Sequence, residues 1–241
     1  METRLSVDIL PQPNEITCGP TCLQAVYRYY NDDISLDQVI AEVPMLEGGG
    51  TLGVWLACHA LKRGYRVTIY TYKLQLFDPS WFQPGAPDIS ERLRAQLAFK
   101  ADPKLQTATH AYLEYFALGG RLKLADLTPA LIRRYLKRQI PIITGLSATF
   151  LYRSTREYGE NCDYDDVRGE PSGHFVVLCG YDRKTREALV ADPQHINPTG
   201  EGQKYRSAIT RVINSVLLGV LTYDGNLIII EPRKDKGKAH A

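Results

Sequence analysis

The spacing of apolar positions changes along the chain, and each change predicts an element. In TCLQAVYRYY, residues 21–30, Cys22, Ala25, Val26 and Tyr29 recur at helical spacing, which predicts a helix from about Cys18 to Tyr30. Asn31-Asp32-Asp33 stops it. A second helix is expected over Leu36 to Glu42, before Pro44. After the loop Gly48-Gly49-Gly50-Thr51, VWLACHALKRG predicts a third helix closed by Gly64. The next eight residues, YRVTIYTY at 65–72, alternate β-branched and aromatic side chains, the pattern of a strand.

The middle of the chain changes character. A loop at 77–87 gives way to helical patterns at 90–102, 106–119 and 128–139, the last with Thr128 as N-cap and Pro129 at the first helical position. The stretch 77–140 therefore reads as a mainly helical insertion beside the core, or as part of the core; the pattern fits both. The C-terminal part is strand-rich. PIITGLSA (141–148) reads as a buried strand, and the acidic stretch 155–172 as a loop. GHFVVLCGYD (173–182) and EALVADP (187–193) flank RKTR as a hairpin. A helix at 207–218 and a strand at 226–230 follow.

Composition narrows the function classes. The 241 residues are 44% apolar, enough for one sizeable core, and one domain with insertions fits as well as two small ones; a single domain over residues 1–232 is the expectation taken forward. A net charge of +2 lacks the basic excess of a protein that lives on phosphate backbones, so no nucleic-acid partner is expected. The basic tail at 233–241 reads as a solvated, disordered terminus. No apolar run reaches the roughly 20 residues of a spanning helix, and the N-terminus lacks a signal peptide. The expectation is a cytoplasmic protein with no membrane partner. Five scattered cysteines argue for reduced thiols over a disulfide framework.

Of those thiols, Cys18 has the most reactive setting. It opens a helix, where unpaired N–H groups and the positive end of the dipole favour a thiolate. Cys22, one turn later, reads as a small buried packing residue. A zinc or redox pair is a second reading, although no histidine or second cysteine pair stands at a zinc spacing. Two packed core thiols are a third. A nucleophile needs a base, and His174 differs from the other four histidines because it opens an apolar strand directly after Pro-Ser-Gly. With the hairpin turn centred near Arg183, His174 and Asp192 fall directly opposite one another. Such pairs have Cβ atoms about 4.5–5.5 Å apart, close enough for the carboxylate to orient the imidazole.

These residues resemble a known family. Gln12, five residues, then Cys18-Gly19-Pro20-Thr21, followed by GHFVVLCGYD and V-A-D-P, resembles the papain-like cysteine peptidases. The likeness is to their C39-like branch, related to the bacteriocin-leader-processing peptidases. The resemblance implies an α+β papain-like fold, with an N-terminal helix carrying the cysteine packed on an antiparallel sheet carrying the histidine and aspartate. It implies Cys18 as nucleophile, His174 as base and then acid, Asp192 as its orienting group, and Gln12 as oxyanion-hole donor beside the Cys18 N–H. The implied activity is cleavage of a peptide or amide bond through a Cys18 thioester, with no cofactor or metal. The same thioester could pass to an amine, as in the phytochelatin-synthase-like relatives, or the fold could serve as a non-catalytic peptide-binding module. The chain holds no transporter segment, so a stand-alone member is expected. Acidic residues from Glu157 to Asp166 precede His174 and are expected to border the cleft. Gly48–Gly50 lacks the lysine of a phosphate loop and reads as a flexible turn.

Overall fold

The computed structural model of the protein describes residues 2–159, 161–195, 202–222 and 224–233. Ten strands and eight α-helices follow one another among these residues. β1 (Glu2–Arg4) precedes three helices, α1 (Cys18–Tyr29), α2 (Leu36–Glu42) and α3 (Gly53–Lys62), and then β2 (Arg66–Thr71). The middle supplies α4 (Ile89–Leu97), α5 (Pro103–Ala117), β3 (Arg121–Lys123) and α6 (Pro129–Leu136). β4 (Ile142–Ser147), α7 (Ala148–Tyr152), β5 (Glu157–Tyr158) and β6 (Asp163–Tyr164) lead to the long β7 (Gly173–Asp182). β8 (Glu187–Ala191), β9 (Lys204–Ala208), α8 (Ile209–Leu218) and β10 (Asn226–Glu231) complete the order.

Eight strands form one sheet in the order β3-β2-β10-β4-β7-β8-β9, with β1 added to β7. Every pairing is antiparallel except β2 with β3. The central strands β4 and β10 are buried along their whole length, and β7 from His174 to Tyr181. Near-continuous apolar sequence is what a strand covered on both faces requires. α1 packs on β7, α8 on β4, and α3 on β2 and β10. This is the α+β arrangement that the resemblance implied, with the cysteine-bearing helix against the sheet that carries the histidine.

Several boundaries differ from the sequence pattern. The helical pattern at 90–102 ends at Leu97, because Asp102 caps a new helix: its side chain accepts the Leu105 N–H at 2.9 Å, with Pro103 in the first turn. The short strands β1, β3 and β9 were not expected from the pattern; β1 and β3 have only three residues each, too short for alternation to register. Thr128 caps α6, its hydroxyl accepting the Leu131 N–H at 3.2 Å.

The segment 77–140 is tied into the sheet. α5 buries Leu105, Ala108, Ala111, Tyr112 and Tyr115. The Tyr115 hydroxyl lies 3.1 Å from the Val67 carbonyl on β2 and 2.8 Å from that of Arg121 on β3. Gly120 leaves room for that ring, since a Cβ there would sit 2.3 Å from it. Residues 234–241 of the basic tail lie outside the described residues. Among those described, no helix is long and apolar enough to cross a membrane.

Candidate active site

Cys18 is the first residue of α1, and its surroundings explain why the helix starts there. Asn14 and Thr17 make a turn, in which the Thr17 hydroxyl donates to the Asn14 carbonyl at 3.1 Å. No side chain caps the helix. Among the described residues the N–H groups of Cys18 and Gly19 have no hydrogen-bond partner, and Pro20 has none to offer. Two free donors thus sit at the helix start beside the thiol. Gly19 lets α1 approach: a Cβ there would stand 2.6 Å from Thr51 Cγ2 and 3.3 Å from the Phe175 ring. Cys18 keeps 8% of its surface exposed and Cys22 none. The Cys22 thiol donates to the Phe175 carbonyl at 3.2 Å, and burial pushes its pKa up, so it packs.

His174 and Asp192 meet, but not in the register expected. The β7–β8 turn is centred one to two residues later than Arg183, with Asp182 paired to Glu187 and Gly180 to Leu189. Continued unbroken, that ladder sets Asp192 level with Val177, on the face away from His174. A bulge between Leu178 and Gly180 takes up one residue, after which Val177 pairs with Ala191. Asp192 then falls level with Val176 and shares a face with His174, two residues away. A one-residue shift reverses which face a side chain takes, and bulges re-aim side chains in this way. The expected direct opposition is therefore replaced by a diagonal contact, with His174 Nε2 2.8 Å from Asp192 Oδ1.

Asp192 is fully buried and surrounded by donors. Besides the imidazole, Tyr152 of α7 and Tyr205 of β9 donate their hydroxyls to Oδ2 at 2.6 and 2.7 Å. The Gln194 N–H donates to Oδ1 at 2.9 Å. A buried carboxylate needs such partners to remain charged. Burial would raise the Asp192 pKa, but the His174 charge and these hydrogen bonds together hold it below its ordinary value. For His174, burial acts to lower the pKa. The charge of Asp192, then that of Cys18, and hydrogen bonds to both outweigh it and raise the pKa from 6.5 to about 10. With Nε2 on Asp192, Nδ1 is the nitrogen left for the Cys18 thiol. The two tyrosines carry no signal in the sequence pattern.

Gln12 stands next to this group without lining the cleft. Its N–H donates to the Pro193 carbonyl at 2.8 Å, which ties the segment before α1 to the residue after Asp192. Its side-chain Oε1 is buried with no hydrogen-bond partner among the described residues. Cys18 and His174 open into a cleft of about 280 Å³. A smaller groove of about 140 Å³ adjoins it on the side of Tyr152 and Gln194, and the two share His174, Gly173 and Glu157.

Gly48–Gly50 lines the main cleft, so this loop is a wall of the site rather than only a turn. Gly49 and Gly50 have φ of 86° and 76°, conformations that side chains rarely adopt. Asp224 also reaches the cleft, from the loop before β10. Its carboxylate accepts from the Gly53 N–H at 3.0 Å, holding the start of α3, and from the Asn226 amide at 2.8 Å. Glu157 brings the acidic loop to the cleft, as expected; Glu160 lies outside the described residues. The cleft carries Glu15, Glu157 and Asp224, and among the described residues no lysine or arginine lines it. His59, placed by pattern inside a helix, is buried between the Tyr27 hydroxyl at 2.7 Å and Glu42 at 2.9 Å.

A model of the Peptidase_C39 like family matches residues 95–214. Over this stretch, 120 of its 241 residues, the chain is similar to the C39-like family. The match takes in His174 and Asp192 and begins after Cys18 and Gln12, so the N-terminal half of the site rests on the geometry above. No curated protein matches the chain. Among solved structures, the peptidase domain of Streptococcus ComA, a bifunctional ABC transporter of a quorum-sensing pathway, is similar at 15% identity. That alignment covers 94% of this chain and 99% of that one, with a TM-score of 0.43. A Bacillus anthracis protein assigned as a C39-like peptidase is similar at 13% identity over 98% and 100% of the two chains, with a TM-score of 0.48. Xylellain, a cysteine protease from Xylella fastidiosa, is similar at 13% identity over 97% and 86%, with a TM-score of 0.44.

Proposed function

We propose that this C39-like chain is a cysteine peptidase or amidohydrolase that works through a thioester on Cys18. The observation that carries the reading is His174, whose Nε2 is fixed on a buried carboxylate while the residue lines the same cleft as Cys18, the first residue of α1. In the proposed first step, Cys18 Sγ as thiolate attacks the substrate carbonyl carbon. The oxyanion that forms is met by the Cys18 N–H, and by the Gln12 side-chain amide once that side chain, which stands outside the cleft here, turns toward it; one such donor is worth about 2.7–4 kcal/mol in the transition state. The C–N bond breaks, and the His174 imidazolium gives its proton to the departing amine. Water then adds to the thioester, His174 takes its proton, and the acid leaves as Cys18 returns to the thiolate. Asp192 keeps the imidazole oriented throughout. A cleft that carries Glu15, Glu157 and Asp224 favours neutral or cationic segments over acidic ones, which charge reversal at Glu157 would test.

The test is competition among the thiols of the native protein. A limiting dose of iodoacetamide, mapped by mass spectrometry, is expected to label Cys18 first. Cys162 is the demanding control: it is exposed, but burial of its sulfur and the nearby Glu157 raise its pKa. His174→Ala should slow Cys18 labelling and leave Cys162 unchanged. Faster labelling of Cys162, or indifference of Cys18 to the histidine, would refute the activated nucleophile.

A further inference from the structure

The far end of β7 carries a feature that is independent of the Cys18 cleft. Chain-wide, 29 basic residues nearly balance 27 acidic ones, yet one cavity breaks that balance. It is a pocket of about 530 Å³ between β1, the C-terminal end of α6 and the β7–β8 turn. Leu136 and Tyr181 are its buried walls. Arg4 from β1, Arg133 and Lys137 from α6, and Arg183 from the turn reach it from three parts of the chain. Arg133 and Lys137 stand one helical turn apart and so share a face.

None of these four cations has an ion pair among the described residues. The acids near them are engaged elsewhere. Glu2, the one acidic residue on the cavity wall, is held by Arg206 at 2.5 Å, and Asp182 and Glu187 lie 3.8 and 4.0 Å from the same guanidinium. Arg133 is also restrained, its guanidinium lying 5.6 Å over the Tyr181 ring. Cations at the end of α6 complement the helix dipole, which accounts for Arg133 and Lys137. It does not account for Arg4 and Arg183, which come from elsewhere.

We propose that this cavity binds a small phosphate-bearing polyanion. Its volume lies in the range of about 300–1,000 Å³ typical of small-molecule sites. Three guanidinium groups from separate segments match phosphate oxygens, which arginine meets bidentately. Cations converging from three segments on a cavity of this size suit a compact ligand better than a long one. The site is distinct from the Cys18 cleft: Tyr181 lies seven residues beyond His174 along β7, roughly 24 Å at about 3.4 Å per residue.

Titration calorimetry of the whole chain with inorganic triphosphate, at about 0.15 M ionic strength where distant surface charges are screened, tests the site. One saturable event is expected. The double variant Arg133→Gln/Arg183→Gln should weaken it by roughly a hundredfold, about tenfold for each charged contact removed. Its melting temperature without ligand should match the parent, and Cys18 labelling should be unchanged. Absence of saturable binding, or equal binding by the double variant, overturns the site. Equal affinity for citrate overturns the phosphate assignment, since a cavity that reads charge alone would not tell the two apart.

Discussion

Asp192 holds four hydrogen bonds while wholly buried, so the group that orients His174 is itself oriented by two tyrosines. Tyr152→Phe and Tyr205→Phe each delete one donor to the carboxylate without opening a cavity. Each should destabilise the protein by about 1.5–3 kcal/mol, the range for a hydrogen bond to a charged group, read from the urea midpoint at neutral pH. The pH dependence has a definite sign. The folded Asp192 pKa lies below 3.8, so its contribution is present above that value and lost as pH falls through the folded one. Losing a tyrosine donor raises the folded pKa and moves acid unfolding to higher pH. His174 behaves oppositely: with its pKa raised from 6.5 to about 10, its contribution is full below 6.5 and lost as pH rises through about 10. In Asp192→Asn that alkaline loss should flatten, so the stability gap to the parent narrows between pH 6.5 and 10. A constant gap would mean that the pair is not charged. Cys18, His174 and Asp192 could be read from the sequence because each stands at an element boundary with a local reason to be there. Tyr152 and Tyr205 could not, since a hydroxyl 40 or 13 residues from its partner leaves no periodic mark.

Among the elements, the site depends on two close approaches that side-chain patterns do not encode. The first is the bulge in β7, which brings Asp192 to the face of His174; the sequence shows only an apolar run through Cys179 and Gly180. Hairpin counting found the right partners but assumed an unbroken ladder, and an odd slip would have separated them. The second is Gly19, where α1 meets the loop that ends at Thr51. Gly19→Ala should cost about 1–3 kcal/mol, the usual penalty for overpacking, because its Cβ would fall 2.6 Å from Thr51 Cγ2. Thr51→Ser removes that methyl and keeps the hydroxyl that donates to the Pro44 carbonyl at 2.7 Å. The double variant Gly19→Ala/Thr51→Ser should therefore recover most of the loss. If it does not, the glycine is needed for its backbone freedom or for Phe175, and the fit between α1 and the Gly48–Thr51 wall is not the reason. The same loop was legible only as a turn, since nothing in three glycines reveals that they face a cleft.

For the whole molecule, the stretch 77–140 was legible as helical, but not as flanking or central, because amphipathic helices look alike in either role. Its packing points to a role in the core. Tyr112 and Tyr115 are buried, Ile132 and Leu136 are fully buried on α6, and β3 extends the sheet beyond β2. Tyr115 joins these pieces, since its hydroxyl serves the carbonyls of both Val67 and Arg121. We therefore propose that the chain folds as one cooperative unit and not as a catalytic core with a dispensable insert. Tyr115→Phe should lower stability by about 1–3 kcal/mol, the cost of leaving buried carbonyls without their donor. Replacing residues 103–123 with a short glycine-serine linker should go further and abolish cooperative unfolding, because β2 would lose a neighbour and α3 the helix it packs on. Circular dichroism during urea unfolding distinguishes the two cases. A cooperative transition in the deletion variant, with Cys18 still the first thiol labelled, would make the segment an accessory and overturn the single unit. Loss of the transition in the deletion, with a parallel shift of the whole curve in Tyr115→Phe, is the result that one core shared by both halves of the chain requires.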